Sequence, residues 1–161
     1  MAENWFLKVD GIEGESADVS HKGEIDVLSW SWGVANVGSG PGGPSGPGGG
    51  GGGAGRASFQ DFTFVARISK ASPQLFLSCA TGTHHKAASL SGSRATGKAQ
   101  DDFLKYKLTD VQVTSVQHGA GDADPPTEQF SLSYRRFEIS FTPETGPPVT
   151  AGYDLKLNKK I

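Results

Sequence analysis

The segment EIDVLSWSWG, residues 24–33, reads as a β-strand whose buried side changes along its length. Alternate residues of a strand point to opposite sides of the sheet, so Ile25 and Val27 share one side, while Leu28, Trp30 and Trp32 share the other. One face cannot bury both sets without a β-bulge or a strong twist between them. We therefore predict a bulge near Val27–Leu28 and a core that contains both tryptophans.

The small residues between the tryptophans predict the character of the opposite face. Ser29, Ser31 and Gly33 point away from the two indole rings. A long strand with small, weakly polar side chains presents a smooth surface, which suits solvent or an enclosed lumen better than a packed second layer. We expect the two serines to lie on such a surface.

The same two-residue period continues through most of the remaining sequence. Further strands are predicted in residues 4–11, 57–68, 102–116, 127–142 and 152–160. We expect the two longest to pair as a hairpin joined by residues 117–126. Each should change its buried side once, at a bulge or corner near Thr109–Asp110 and near Arg135–Arg136. The side chains expected to point inward from the last strand are Tyr153, Leu155 and Leu157.

One short helix is predicted after the strand at 57–68. Ser72 is a suitable N-cap, Pro73 is a suitable first helical residue, and Gly82 can end the helix in a left-handed conformation. About ten residues are enough to plug one end of a barrel. The residues at helical spacing on its expected buried side are Leu75, Phe76 and Cys79. As the sole cysteine, Cys79 cannot form an intramolecular disulfide, and we expect it to be a core residue.

These elements predict a mainly β fold of about seven strands with one short helix. A barrel and a sandwich both fit, and the long bulged strands with aromatic interiors favour the barrel. Residues 1–37 supply at most two strands, which are too few for an independent core. We therefore expect residues 1–161 to form a single domain.

Residues 38–55, GSGPGGPSGPGGGGGGAG, separate two of the predicted strands. Twelve of these eighteen residues are glycine and three are proline. The run is not a phosphate-binding loop, because such a loop continues with lysine, serine or threonine and a helix, whereas a strand follows here. The pair Gly97–Lys98 likewise predicts only a hairpin turn. Closing an eighteen-residue loop costs about 2 kcal/mol more than a two-residue turn, so the run fits as an insertion within one domain.

The charged residues and histidines argue against several functional classes. With 15 basic and 17 acidic residues, the formal net charge is -2, which disfavours nucleic-acid binding by bulk charge. His84 and His85 are neighbours on an extended segment and point to opposite sides, so we expect solvent-facing loop histidines rather than metal ligands. No nucleophile or paired carboxylate set stands out. We predict no enzymatic activity, no cofactor and no metal.

The first residues, MAENWFLKVDG, lack the basic region and the apolar run of a signal peptide. No apolar stretch approaches the roughly 20 residues that a membrane-spanning helix needs. We expect the chain to fold in the cytoplasm without inserting into a membrane. Export, if it occurs, would use a route that needs no signal peptide.

Three stretches together resemble a known family: HKGEIDVLSWSWG (21–33), ASFQDFTFVARISKASPQLFLSCATGTH (57–84) and GYDLKLNKK (152–160). The glycine-rich run and the long strands fall between them in the matching order. The whole chain resembles the haemolysin-coregulated protein (Hcp) family, the tube proteins of type VI secretion systems.

The resemblance implies a β-barrel of two antiparallel sheets with a flanking helix and a long extended loop. It implies a homohexameric ring and a stack of such rings that forms a hollow tube, with sheath, spike and effector proteins as partners. It also implies a protein that is cytoplasmic before assembly and then secreted without a signal peptide, carrying effectors in its lumen. A stand-alone β-barrel module that binds carbohydrate or a protein ligand is the alternative from another functional class.

The resemblance also assigns roles to particular positions. Ser31, and with it Ser29, matches the lumen-facing position of the family, in agreement with the alternation. Residues 38–55 match the loop that contacts the next ring, although family members commonly have a shorter segment with fewer prolines. The positions assigned to this ring-contact loop are Gly38, Pro41, Pro44, Pro47, Gly50, Gly53 and Gly55. Because the loop has almost no apolar side chains, we expect it to be ordered only where a neighbouring subunit or ring covers it.

Overall fold

The computed structural model of the chain describes residues 3–36, 57–96 and 99–161. The predicted ring-contact loop at 38–55 and the predicted turn at Gly97–Lys98 lie outside the described residues. The described residues form ten strands and one helix: β1 (Glu3–Val9), β2 (Ile25–Ser31), β3 (Val34–Asn36), β4 (Ala57–Phe59), β5 (Phe62–Arg67), α1 (Ser72–Thr81), β6 (His84–Thr96), β7 (Ala99–Gly119), β8 (Thr127–Phe141), β9 (Val149–Asp154) and β10 (Lys159–Lys160).

Six of these strands close a barrel, as the sequence favoured. Their order is β8-β5-β2-β1-β6-β7, and pairing of β7 with β8 closes the circle. Strands β9 and β10 extend the sheet beyond the second half of β8, while β3 and β4 form a separate two-stranded ribbon. All of the strand pairs are antiparallel. Closure pairs the edges of the six barrel strands with one another, which an open sheet would leave exposed.

The bulge predicted in residues 24–33 is present between Val27 and Ser29. Val27 pairs with Ala66 and Ser29 with the preceding residue, Val65, so Leu28 is the extra residue of the bulged strand. The expectation that Leu28 shares the buried side with the tryptophans is wrong, because the extra position pushes it outward and leaves it 51% exposed.

The hairpin of β7 and β8 is confirmed, and both strands change their buried side at one shared corner. Asp110, opposite Arg135, has a left-handed backbone with φ of 55°. The strands remain in register through this predicted corner, and the register shift between them lies further along, between Val113 and Ser115. Beyond the corner β8 exchanges its second partner, from β5 to β9. The first half of β8 therefore pairs with a barrel strand, and its second half pairs with the outer strand β9.

Strand β6 was not predicted, because its sequence HHKAASLSGSRAT contains a single large apolar residue. Its backbone pairs with β1 on one side and β7 on the other, so the neighbouring strands determine its conformation. The prediction of loop histidines at His84 and His85 is therefore wrong, since both belong to this strand.

Helix α1 ends as predicted and begins differently. Gly82 caps its C-terminus in the left-handed conformation, but the N-cap is Ala71, and Ser72 lies inside the first turn. The Ser72 hydroxyl accepts a hydrogen bond from the Ser69 backbone N–H, 3.0 Å away. The side chains that the helix buries are Ser72, Leu75 and Ser78. Of the predicted inward residues, Phe76 is 45% exposed, and Cys79 is half-buried against the core.

At the C-terminus, one of the three predicted inward residues is exposed. Tyr153 and Leu155 pack against the core, whereas Leu157 is 58% exposed. The strand ends at Asp154, whose Oδ1 accepts hydrogen bonds from the backbone N–H groups of Lys156 and Leu157 at 3.0 and 2.9 Å. This turn reverses the chain, so the alternation of inward and outward side chains does not continue to Leu157.

Candidate functional site

Two parallel rows of side chains cross the outer surface of one half of the barrel. Alternation along each strand points these residues away from the buried aromatic side chains. The first row runs across β2, β5, β8 and β7 through Ser31, Thr63, Ser131 and Ser115. The second row runs across the same strands through Ser29, Val65, Gln129 and Gln117. We call these eight residues the uncharged face, because none of them carries a formal charge.

Short hydrogen bonds tie the uncharged face together at its β7 side. Thr114 Oγ1 lies 2.9 Å from Ser131 Oγ, and Ser115 Oγ also contacts Ser131 Oγ. Thr114 Oγ1 also donates a hydrogen bond to Asp61 Oδ2 at 2.8 Å. This bond holds the Asp61 carboxylate beside the face. These contacts fix Ser115 and Ser131 at the β7 side of the face.

The structure places both predicted serines on this face. Ser29 and Ser31 are exposed, and Trp30 and Trp32 pack against the core behind them. Sequence reasoning missed the other members of the face. Their signal was present in FTFVAR and EQFSLSY, where small polar residues alternate with large apolar ones, but only strand pairing shows that these positions join the two serines.

The ribbon of β3 and β4 carries the ends of the segment that contains residues 38–55. Val34 pairs with Phe59 and Asn36 with Ala57, so the two ends of the segment are held side by side. Phe59 anchors the base of the ribbon on the barrel through ring contacts with Phe137 and Tyr153, at 5.7 and 5.5 Å between centroids. The ribbon thus fixes the positions on the barrel at which the chain leaves β3 and enters β4.

A partly buried hydrogen-bond network fixes the chain just before and after the ribbon. Trp32 Nε1 donates to Tyr134 Oη at 2.6 Å, and the Tyr134 hydroxyl donates to the Gln60 carbonyl at 2.9 Å. Burial raises the pKa of Tyr134 above 10.0, so the hydroxyl keeps its proton for this bond. The Trp32 ring also stacks on Phe62, 5.0 Å away between centroids. Trp30 and Trp32 both pack against the core, as predicted.

The described histidines make individual pairs. His84 Nδ1 lies 2.9 Å from Asp110 Oδ1, and His85 bridges the Asp10 carbonyl and Ser78 Oγ at 2.8 and 3.0 Å. Among the described residues, no group of three or more potential ligands converges on one point. These contacts assign His84 and His85 to fastening strand β6 to its surroundings.

His21 forms a clamp that sequence reasoning did not find. Its ring is buried and stacks on Phe6, with centroids 4.5 Å apart. Nδ1 lies 3.0 Å from Glu24 Oε2 and Nε2 lies 2.9 Å from Asp102 Oδ1. Both nitrogens can donate only when the ring is protonated. The clamp fastens the loop between β1 and β2 to the start of β7.

Folding raises the pKa of His21. Burial disfavours the charged ring, but the hydrogen bonds to Asp102 and Glu24 outweigh burial and raise the pKa above 6.5. Since the folded protein holds this proton more tightly than the unfolded chain, the clamp contributes its full stability below about pH 6.5. The contribution is lost as the pH rises through the raised pKa.

We expect His21→Asn to lower the free energy of unfolding more at pH 5.5 than at pH 8.5. Urea denaturation of both proteins at the two pH values measures this difference. His84→Asn is the matched control, because its side chain is 64% exposed and solvent weakens its pairing with Asp110. An equal loss of stability for His21→Asn at both pH values would contradict a protonated clamp.

The described residues include no helix long and apolar enough to cross a membrane.

Known proteins resemble the chain over nearly its whole length. Protein hcp1 of Pseudomonas aeruginosa is 37% identical over 165 aligned residues, which cover 98% of each chain. The crystal structure of Hcp1 from Salmonella typhimurium covers all of both chains with 36% identity and a TM-score of 0.81. A type VI secretion system effector from Yersinia pestis, 33% identical, covers 93% of this chain and 98% of its own with a TM-score of 0.75.

A model of one protein family, described as "Type VI secretion system effector, Hcp", matches residues 6–141. This match includes five of the six barrel strands completely and the last four of the seven residues of β1. It also includes every residue of the uncharged face. The resemblance noted in the sequence is therefore confirmed, and the chain belongs to the Hcp family of the type VI secretion system.

Proposed function

We propose that the chain is the repeating subunit of the inner tube of a type VI secretion apparatus. Six copies close a ring, rings stack into a hollow tube, and the tube carries effectors in its lumen and is itself exported from the cytoplasm without a signal peptide. The observation that carries this proposal is the uncharged face, which extends over four strands and includes both predicted lumen residues.

The chemistry of the uncharged face suits the wall of a lumen. Any charge on it would be repeated in every subunit around a narrow channel, where like charges repel and bind oppositely charged cargo too tightly to release it. Hydroxyl and amide groups instead offer weak hydrogen bonds that many protein surfaces can share. Ser31 and Ser29 lie at the β2 end of the two rows, and we assign both to the lumen wall.

Residues 38–55 provide the contact between stacked rings in this proposal. The ribbon of β3 and β4 holds both ends of the segment at a fixed place on every subunit. Sheath, spike and effector proteins are the further partners of the assembly. The whole chain acts as one domain in this role, with no contact to nucleic acid and no insertion into a membrane.

The ring is tested by light scattering on a sizing column. We expect a particle of six times the chain mass of 16.8 kDa, with an annular shape in electron micrographs. A monomer at high concentration would overturn the proposal and favour the stand-alone binding module.

The same preparation tests the position of Ser31. In a Cys79→Ser background, Ser31→Cys rings should react completely with a small maleimide. They should react only in part with a long polyethylene-glycol maleimide, because six polymer chains would have to fit into one lumen. Lys107→Cys, on the opposite outer surface, is the matched control and should accept the long reagent on every subunit. Complete labelling of Ser31→Cys rings by the long reagent would remove this residue from the lumen.

A further inference from the structure

At the β7 border of the uncharged face, four side chains form a hydrogen-bonded chain that ends at a carboxylate. We call them the acceptor cluster: Asp61, Thr114, Ser115 and Ser131. The register of β7 on β8 shifts between Val113 and Ser115, so Thr114 is an extra residue. This bulge turns two consecutive side chains, Thr114 and Ser115, to the outer side, where both are exposed and both contact Ser131.

The Asp61 carboxylate sets the direction of the hydrogen bonds along this chain. A carboxylate only accepts, so the single hydroxyl hydrogen of Thr114 goes to Asp61 Oδ2 at 2.8 Å, in preference to the Ser131 carbonyl at 3.3 Å. The 2.9 Å contact between the Thr114 and Ser131 hydroxyls must then use the hydrogen of Ser131. The contact between Ser131 and Ser115 uses the hydrogen of Ser115. All three hydroxyl hydrogens therefore point along the chain toward Asp61.

This direction leaves the acceptor cluster with oxygen acceptors and no free hydroxyl hydrogen. Ser115 Oγ has given its hydrogen to Ser131, and Asp61 is exposed with Thr114 bonded to only one of its two oxygens. Among the side chains that the structure describes, no lysine, arginine or histidine nitrogen lies within 4.0 Å of the Asp61 carboxylate. The border of the uncharged face thus presents one negative group without a cationic partner.

A metal ion is a poor match for this cluster. Protein sites for zinc or calcium use several carboxylate, histidine or cysteine ligands. In residues 3–36, 57–96 and 99–161, no group of three or more such side chains converges on one point. An ammonium or guanidinium group asks for less, because a few oxygen acceptors satisfy its N–H donors. Lysine and arginine side chains carry these groups.

We propose that the acceptor cluster binds lysine or arginine side chains of exported cargo, with Asp61 as the residue that selects them. The inference rests on the proposed function, which turns the uncharged face, and Asp61 at its border, toward the lumen. Each ring repeats the cluster in every subunit, so a cationic segment can contact several copies at once. A single exposed ion pair is weak, so each contact can break and the cargo can be released.

Fluorescence anisotropy with two labelled peptides tests the proposal on the intact full-length protein at low salt. One twenty-residue peptide alternates glycine with arginine, and the other alternates glycine with glutamine. We expect Asp61→Asn to weaken binding of the arginine peptide about fivefold or more, and to change binding of the glutamine peptide by less than about twofold. Asp61→Glu keeps the charge and should stay within about twofold of the parent protein.

Asp101→Asn is the matched control, because it removes the same charge from an exposed side chain fourteen residues before Ser115 on β7. Its affinity for the arginine peptide should stay within about twofold of the parent. Asp61→Ser repeats the test with a hydroxyl that can still accept the hydrogen bond from Thr114.

Equal weakening by Asp61→Asn and Asp101→Asn would mean that bulk charge attracts the peptide, and would overturn the proposal. So would unchanged binding of the arginine peptide by Asp61→Asn, or no binding by the parent protein. Light scattering on the same samples separates this inference from the ring proposal. A ring that binds equally well with and without the Asp61 charge refutes the acceptor cluster alone, whereas a monomeric parent protein refutes the tube.

Discussion

Gly92→Ala is expected to lower the free energy of unfolding by about 3 kcal/mol, at the upper end of the usual cost of overpacking. Gly92 lies opposite Trp5 in the pairing of β1 with β6. A Cβ atom at this position would come within 3.0 Å of three atoms of the indole ring. The ring cannot move aside easily, because it packs edge-on against Trp30 and Phe103 at 5.1 and 5.9 Å between centroids.

Urea denaturation followed by tryptophan fluorescence measures this loss. Gly119→Ala is the matched control, since no atom lies within 4 Å of its added Cβ, and its stability should change by less than about 0.5 kcal/mol. Trp5→Leu should recover part of the stability of the Gly92→Ala protein by vacating the space. If Gly92→Ala alone is as stable as the parent, the close packing of Trp5 over β6 is refuted.

Phe62→Ala is expected to destabilise the protein by about 4 kcal/mol, because it opens a cavity in the centre of the aromatic core. Phe62 is fully buried. Its ring contacts Trp30, Trp32 and Tyr106, with centroids 5.7, 5.0 and 5.3 Å away. The lost burial and the lost ring contacts act in the same direction.

The neighbouring residue provides a control for Phe62→Ala. Thr63 belongs to the uncharged face, so Thr63→Ala should change the free energy of unfolding by less than about 0.5 kcal/mol. Chemical denaturation of the pair checks both values. A larger loss for Thr63→Ala than for Phe62→Ala would reverse the assignment of inner and outer faces on β5.

Much of the fold could be predicted from local periodicity. The alternation in residues 24–33 located the β-bulge and placed Trp30 and Trp32 behind Ser29 and Ser31. Gly82 ended the helix because glycine adopts the left-handed conformation at low cost. In each case the deciding interaction joins residues that are close in the chain, and such interactions leave a pattern in the sequence.

The failures share a different cause. Strand β6 has little strand-forming character and exists because β1 and β7 pair with it from both sides. His21 gave no signal as a clamp, since one of its two carboxylate partners, Asp102, is 81 residues away. Leu28 is exposed because it is the extra residue of a β-bulge, and Leu157 is exposed because the strand ends in a turn before it. These outcomes depend on contacts between distant segments, which a single sequence does not display.

By itself, the sequence determined five of the six barrel strands, the helix C-terminus, the family resemblance and the outward direction of Ser29 and Ser31. The tertiary structure decided which distant residues share a surface. Pairing of β2, β5, β8 and β7 assembled the uncharged face from four separate segments, and the register of β7 on β8 brought Thr114 and Ser115 against Ser131. Alternation determines which way a side chain points, but the register between strands selects its neighbours, and register is set only when the whole barrel closes.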